Sequence, residues 1–183
     1  MPPVLFYWYN LYMFSDPVKN LKALGLRESD IVADLGAGTG HYTIYAGKLV
    51  PSGKVYAVEV QKDFVATINH KVKEAHLSNV ECFWGNVEKI GGTKIKDGIV
   101  DVAIASNILF QVEDKDLFIE ETKRILRPGG RVLLIDWADA SGLGLLVPVP
   151  KNKARELFEK KGFVFERDVD AGAHHYGMIM NKL

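Results

Sequence analysis

Short apolar runs alternate with amphipathic stretches through most of this chain, and that alternation limits the possible folds more than any other feature. The runs are DIVADLG (30–36), KVYAVEV (54–60), NVECFWG (79–85), IVDVAIAS (99–106) and GRVLLIDW (130–137). Each is rich in Val, Ile or aromatic residues and bounded by Gly, Pro, Asn or Asp, as buried strands are. Between them, residues 61–77 place Phe64, Ile68 and Val72 four apart, which predicts a helix with one apolar face. Over 114–126, Phe118, Thr122 and Ile125 share a face and Asp114 can cap the start. At RPGG (127–130) Pro128 cannot continue that helix and Gly129–Gly130 turn the chain. Strands alternating with helices predict an α/β fold, a doubly wound parallel sheet covered on both faces. The C-terminal part differs. A helix at about 152–161 leads to FVFERDV (163–169) and HHYGMIM (174–180), joined by too few residues for a crossover helix. Those last two strands should therefore pair antiparallel.

Composition narrows the class. A chain of 183 residues fits one domain, and Lys plus Arg equals Asp plus Glu at 23 each. No global charge draws it to nucleic acid or anionic lipid. The single cysteine, Cys82, excludes a disulfide framework and a cysteine-rich metal site, and its V-x-C-x-W setting suits a packed thiol. No apolar run reaches the roughly 18 residues of a membrane span, and no secretory signal opens the chain. The expectation is a cytoplasmic protein without a metal.

The most informative segment is IVADLGAGTGHYT (31–43): a strand, a glycine turn, then a helix start. Gly36, Gly38 and Gly40 allow a tight turn and close approach of a ligand, and the following helix N-terminus offers free N–H groups. The pattern is G-x-G-x-G, not the dinucleotide G-x-G-x-x-G, with Asp34 two residues before it. Glu59 ends the second strand, where a carboxylate can accept both hydroxyls of a ribose.

With these residues in place, the sequence resembles the class I S-adenosylmethionine-dependent methyltransferases, in particular the ubiquinone/menaquinone-biosynthesis type. The carriers are VADLGAGTG (32–40), VYAVEV (55–60), NVECFWGNVEKI (79–90), VDVAIASNILF (100–110) and RILRPGGRVLLIDW (124–137). The resemblance implies a seven-stranded, mostly parallel sheet in the order 3-2-1-4-5-7-6, with the methyltransferase domain over 16–183. It puts Gly36, Ala37 and Gly38 against the methionine part of S-adenosylmethionine, with Gly40 in the same loop. Asp34 would serve the cofactor's amino group, Glu59 its ribose, and Val60 and Gln61 its adenine. Asn86, with Val87, falls where the family usually has an acid for the adenine amino group; an Asn carbonyl can still accept that bond without charge. Ser106 and Asn107 would lie beside the sulfonium and the substrate.

The acceptor is narrowed by absences. SNILF (106–110) lacks the proline pair of amino-group nucleobase methyltransferases, Ser106 replaces the metal-binding Asp of catechol-type enzymes, and arsenite methylation needs several thiols. A small, partly apolar acceptor fits best, methylated on carbon, oxygen or nitrogen. The rivals are an RNA or protein methyltransferase, whose basic face would be Lys151, Lys153, Arg155, Lys160 and Lys161, and a non-catalytic S-adenosylmethionine-binding protein. Catalytic candidates are His41, next to the glycine loop, Asp136 at the end of the fifth strand, and His175, which can line the substrate side with Tyr176. Each has a plainer reading: a solvent-touching first turn for His41, an edge turn for Asp136, and packing for His175. His174 and His175, adjacent on a strand, would point to opposite faces. Residues 1–15 form an uncharged aromatic segment up to Phe14, read as a lid over the substrate, with oligomer contact or a natural start at Met13 as alternatives. The loop 138–150 is short and apolar, so a large substrate cap is not expected.

Overall fold

The computed structural model describes residues 15–138 and 147–183. The 1–14 segment and most of the 138–150 loop lie outside the described residues. The elements are α1 (Pro17–Leu24), β1 (Ile31–Leu35), α2 (His41–Leu49), β2 (Lys54–Glu59), α3 (Lys62–Glu74), β3 (Val80–Trp84) and β4 (Val100–Ser106). There follow α4 (Lys115–Ile125), β5 (Leu126–Trp137), α5 (Lys151–Lys160), β6 (Phe163–Val169) and β7 (His175–Lys182). The strands form one seven-stranded sheet in the order β3-β2-β1-β4-β5-β7-β6. β1 to β5 pair in parallel, while β7 runs antiparallel between β5 and β6. This is the expected architecture.

Both faces of the sheet are covered. Leu21 and Leu24 of α1 and Ala46 of α2 pack on Val32, Val55 and Leu133. On the other face Phe118 and Ile119 of α4 and Phe158 of α5 pack on Ala103, Leu134 and Met178. Burial on two sides explains why the central strands read as continuous apolar runs instead of alternating ones. Local signals set the helix ends: Asp114 accepts from Leu117 N–H at 2.9 Å, and Asp16 caps α1 by accepting from Val18 N–H at 2.9 Å.

RPGG behaves differently from the expected simple turn. α4 stops at Ile125, and Leu126 already pairs with Val100 in β5. The next registered pair is Arg131 with Val102, so Pro128, Gly129 and Gly130 bulge out within the strand, with Gly129 at φ +69°. His174 also departs from its expected place. It lies in the turn before β7, and its carbonyl accepts from Ala138 N–H at 2.8 Å.

Candidate functional site

The carboxyl ends of β1, β2 and β4 open onto two adjoining cavities, at the edge where open α/β sheets hold ligands. The first, about 260 Å³, is bounded by Glu59, Val60, Gln61 and Phe64 on one side and by Asn86, Val87, Ile108 and Gln111 on the other. The second, about 200 Å³, is bounded by Ser15, Asp34, Thr39, His41, Tyr42 and Ser106. Gly36, Gly38, Asn107 and Gln111 line both and so form their junction.

The glycine loop is built by its positive φ values. Gly36 is at φ +70°, and a Cβ there would stand 2.2 Å from Ile108 Cδ1, so a side chain would be strained and would have to push Ile108 aside. Gly36 and Ala37 donate their N–H groups to Val58 O at 2.9 and 3.1 Å, which fastens the loop to β2. Gly38 is at φ +55°, and a Cβ on it would meet nothing within 4 Å. That open space leaves room for a ligand against the Gly38 backbone. Gly40, at φ +83°, is the N-cap of α2.

Glu59 is 5% exposed, and both its oxygens are engaged. Oε2 accepts from Gly38 N–H at 2.9 Å and Oε1 from Gln61 N–H at 2.8 Å. Each carboxylate oxygen keeps a further lone pair for a ligand hydroxyl. Asp34 is buried and accepts from Thr43 Oγ1 at 2.5 Å. Burial pushes its carboxyl up to about 6, against the lowering effect of the Thr43 bonds. Tyr42 Oη meets Ser15 Oγ at 2.9 Å and accepts from Asn20 Nδ2 at 2.8 Å, so α1 is fixed to the rim of the second cavity.

Asn86 Oδ1 accepts from Glu88 N–H at 2.7 Å. Only the oxygen can receive that proton, so the orientation of the amide is fixed. Asn107 has φ +54°, and its Oδ1 is buried with no hydrogen-bond partner among the described residues. His41 stands at the mouth of the second cavity; burial first and then Lys71 hold its pKa below the ordinary imidazole value. Asp136 and His175 do not line either cavity. Asp136 is fully buried behind the turn that follows β4, accepting from Leu109 N–H at 2.8 Å. His175 is buried against Trp137, with ring centroids 4.3 Å apart. Cys82 packs beside Ala57 and Ile68, and burial pushes its thiol up to about 11. Sequence reasoning missed Phe64, Ile108, Gln111, Thr43 and Tyr42. Of these, only Phe64 gave a signal, as the first apolar position of the helix that follows Glu59.

The basic stretch of the C-terminal helix is largely neutralised. Lys151 pairs with Asp168 at 2.7 Å, Arg155 with Glu159 at 2.7 Å, and Lys161 with Glu120 at 2.8 Å. Among the described residues no group of three or more His, Cys, Asp or Glu is placed to hold a metal ion.

Residues 33–134 match the family described as "Methyltransferase domain", more than half of the chain. The chain belongs to this methyltransferase family. It is 28% identical to a demethylmenaquinone methyltransferase of Geobacillus sp. over 125 residues, 68% of this chain and 52% of the relative. It is 31% identical to the ubiquinone/menaquinone biosynthesis C-methyltransferase UbiE of Pasteurella multocida, covering 62% of this chain and 42% of that one. The chain thus spans about half the length of these curated relatives. A solved S-adenosylmethionine-dependent methyltransferase from Aquifex aeolicus superimposes with a TM-score of 0.82 at 30% identity, covering 93% of this chain and 91% of that one. S-adenosylmethionine is the cofactor of this methyltransferase family, and the residues present fit it. Gly38 leaves an open cradle, Glu59 offers a buried pair of acceptors, and Asn107 Oδ1 awaits a donor. No helix among the described residues is long and apolar enough to cross a membrane.

Proposed function

We propose that this protein transfers the methyl group of S-adenosylmethionine to a small, partly apolar molecule, in the manner of its quinone-methylating relatives. The observation that carries the reading is the paired cavity joined at Gly36, Gly38 and Asn107, one half facing Glu59 and the other facing Asp34 and Ser106. When bound, the cofactor supplies an electrophilic methyl group on sulfur. Glu59 receives the ribose hydroxyls, Val60, Gln61, Asn86 and Val87 border the base, and Gly36, Ala37, Gly38 and Asp34 surround the amino-acid end. Asn107 sits where the two halves meet, and Ser106 lies beside it in the second. The chain's own work is to exclude water and orient the acceptor, since proximity and orientation are worth up to ~7–11 kcal/mol of a barrier. His41 is the one catalytic candidate at the cavity mouth, available to take a proton because its lowered pKa keeps the imidazole neutral at pH 7. Asp136 and His175 are assigned supporting roles. We further propose a cytoplasmic location.

Two measurements test this. S-adenosylhomocysteine should raise the melting temperature in a saturable way, because a ligand that binds only the native state stabilises it, while NAD should not. Stabilisation by NAD alone would overturn the assignment. The second concerns the N-terminal segment 1–15, nearly all of it outside the described residues, which we propose serves as a lid over the substrate. A chain starting at Met13 should bind S-adenosylhomocysteine normally but lose turnover of a demethylquinol probe at least tenfold. Unchanged turnover, with a shift in oligomeric state, would assign the segment to subunit contact instead.

A further inference from the structure

Asn107 is an unusual residue to find at the junction of the two cavities. Its φ of +54° is in the left-handed region, which Asn adopts more readily than other non-glycine residues. Here the backbone is held by Asn107 N–H donating to Ile135 O at 2.8 Å, and by Gln111 Nε2 donating to Asn107 O at 2.6 Å. The rest of the turn is held from behind by Asp136. That carboxylate accepts from Leu109 N–H and from Trp137 N–H, each at 2.8 Å, with Phe110 N–H facing the same group.

Among the described residues, the other charged or titratable groups facing Asp136 are Tyr176, directly opposite on β7, and Lys115 at the start of α4. Lys115 Nζ donates to Val112 O, and Tyr176 Oη has no hydrogen-bond partner among the described residues. Asp136 therefore has no ion pair among the described residues. A buried carboxyl without a counter-ion is a poor packing choice, and an apolar residue would serve the core better. What this carboxyl contributes is a fixed turn, and the turn carries a buried Oδ1 that lacks a donor. A buried acceptor left unpaired is costly, and a ligand in the adjoining cavity can bring the donor. The second cavity, which Asn107 shares with Asp34 and Ser106, takes the amino-acid end in the placement proposed above. The donor-rich group at that end is the α-ammonium.

We propose that Asp136 is a positioning residue: through the N–H groups of the Leu109–Phe110 turn it aims Asn107 Oδ1 at the α-ammonium of the bound cofactor. This rests on the cofactor placement given under Proposed function.

The test compares S-adenosylhomocysteine with 5′-methylthioadenosine, which keeps the adenosine and the thioether but has no amino-acid head. Calorimetric titration would be run on the full chain and on Asn107→Ala, Asp136→Asn and the double variant. Each single variant should weaken S-adenosylhomocysteine about tenfold and leave 5′-methylthioadenosine within about twofold. The double variant should be no weaker than the worse single, because the two residues act in one line. Equal losses for both ligands would make Asp136 merely structural, and no loss for S-adenosylhomocysteine would remove Asn107 from the ammonium; either result overturns the proposal. If Glu59→Ala weakens neither ligand, it is the cofactor placement that fails. Should Asp136→Asn not melt cooperatively, an Asp34→Asn background decides by NMR. Burial pushes Asp136 up to about 6, so the Leu109 amide and Asn107 side-chain amide signals should titrate together near that pH. A silent Asn107 signal overturns the coupling.

Discussion

Replacing Glu59 with alanine should weaken S-adenosylhomocysteine binding about a hundredfold, or ~2.7 kcal/mol. The side chain acts in two ways at once. It offers a ribose two charge-assisted acceptors, each worth roughly 1.5–3 kcal/mol before desolvation is counted. It also receives Gly38 N–H and Gln61 N–H, which fixes the loop that cradles the ligand to the end of β2. Removing it leaves Gly38 without its anchor, at a backbone conformation that glycine makes accessible but does not enforce. The loss should therefore exceed that of the hydroxyl contacts alone. Glu59→Gln keeps one oxygen acceptor and places an N–H₂ where the other stood, and should fall between, near tenfold. Isothermal titration of the two variants measures both numbers, with a melting curve as the control for folding. If Glu59→Ala binds as tightly as the parent, the ribose lies elsewhere.

Much of this site can be seen in the sequence because its parts are local. The glycine loop, the acid before it and the acid ending β2 are each set by a strand end followed by a turn, and turn chemistry is written in consecutive residues. The parallel sheet and its final antiparallel pair follow in the same way from the strand–helix alternation and the short last connection, while the strand order comes from the family resemblance. What stayed hidden depends on contacts across space. Asn86 looks like a neutral acceptor in sequence, but nothing there shows that Glu88 N–H orients its oxygen and leaves it one free lone pair. Asp136 stands at a strand end like Glu59, yet its side chain turns to the backbone of another strand's loop. Ile108 closes on Gly36 and Gln111 reaches back to Asn107, and no spacing announces either contact. RPGG holds a turn and a strand start in one segment, because β5 begins pairing at Leu126 before the bulge. Periodicity reports which residues are buried, and it does not report what their polar atoms meet.

The largest effect on stability should come from Glu121, a fully buried acid on α4 that lines neither cavity. Its carboxylate binds Arg124 through Nε and a terminal nitrogen at 2.8 Å each, Gly91 N–H at 2.8 Å, and Thr93 Oγ1 at 2.6 Å. Gly91 and Thr93 belong to the long connection after β3, the same segment that carries Asn86 and Val87 into the first cavity. Glu121 thus ties the base-side wall to the helix beneath it. Removing one partner of a buried pair typically costs about 3–5 kcal/mol. Arg124 retains Asp97 and Ile95 O, so Glu121→Ala should lie near ~3 kcal/mol. Burial raises the Glu121 pKa, but Arg124, Thr93 and the N–H groups of Gly91 and Thr93 outweigh it and hold it below its usual value of 4.5. A carboxyl lowered in the folded state gives stability that is complete above its unfolded pKa and is lost as the pH falls through the folded one. Urea unfolding should therefore show the full difference between parent and Glu121→Ala at pH 7, and a smaller one below pH 4. S-adenosylhomocysteine affinity should drop by less than for Glu59→Ala, because the wall loosens while its contacts remain. A difference under about 1 kcal/mol at pH 7 would mean that the connection after β3 is held by its own turns and not by this carboxylate.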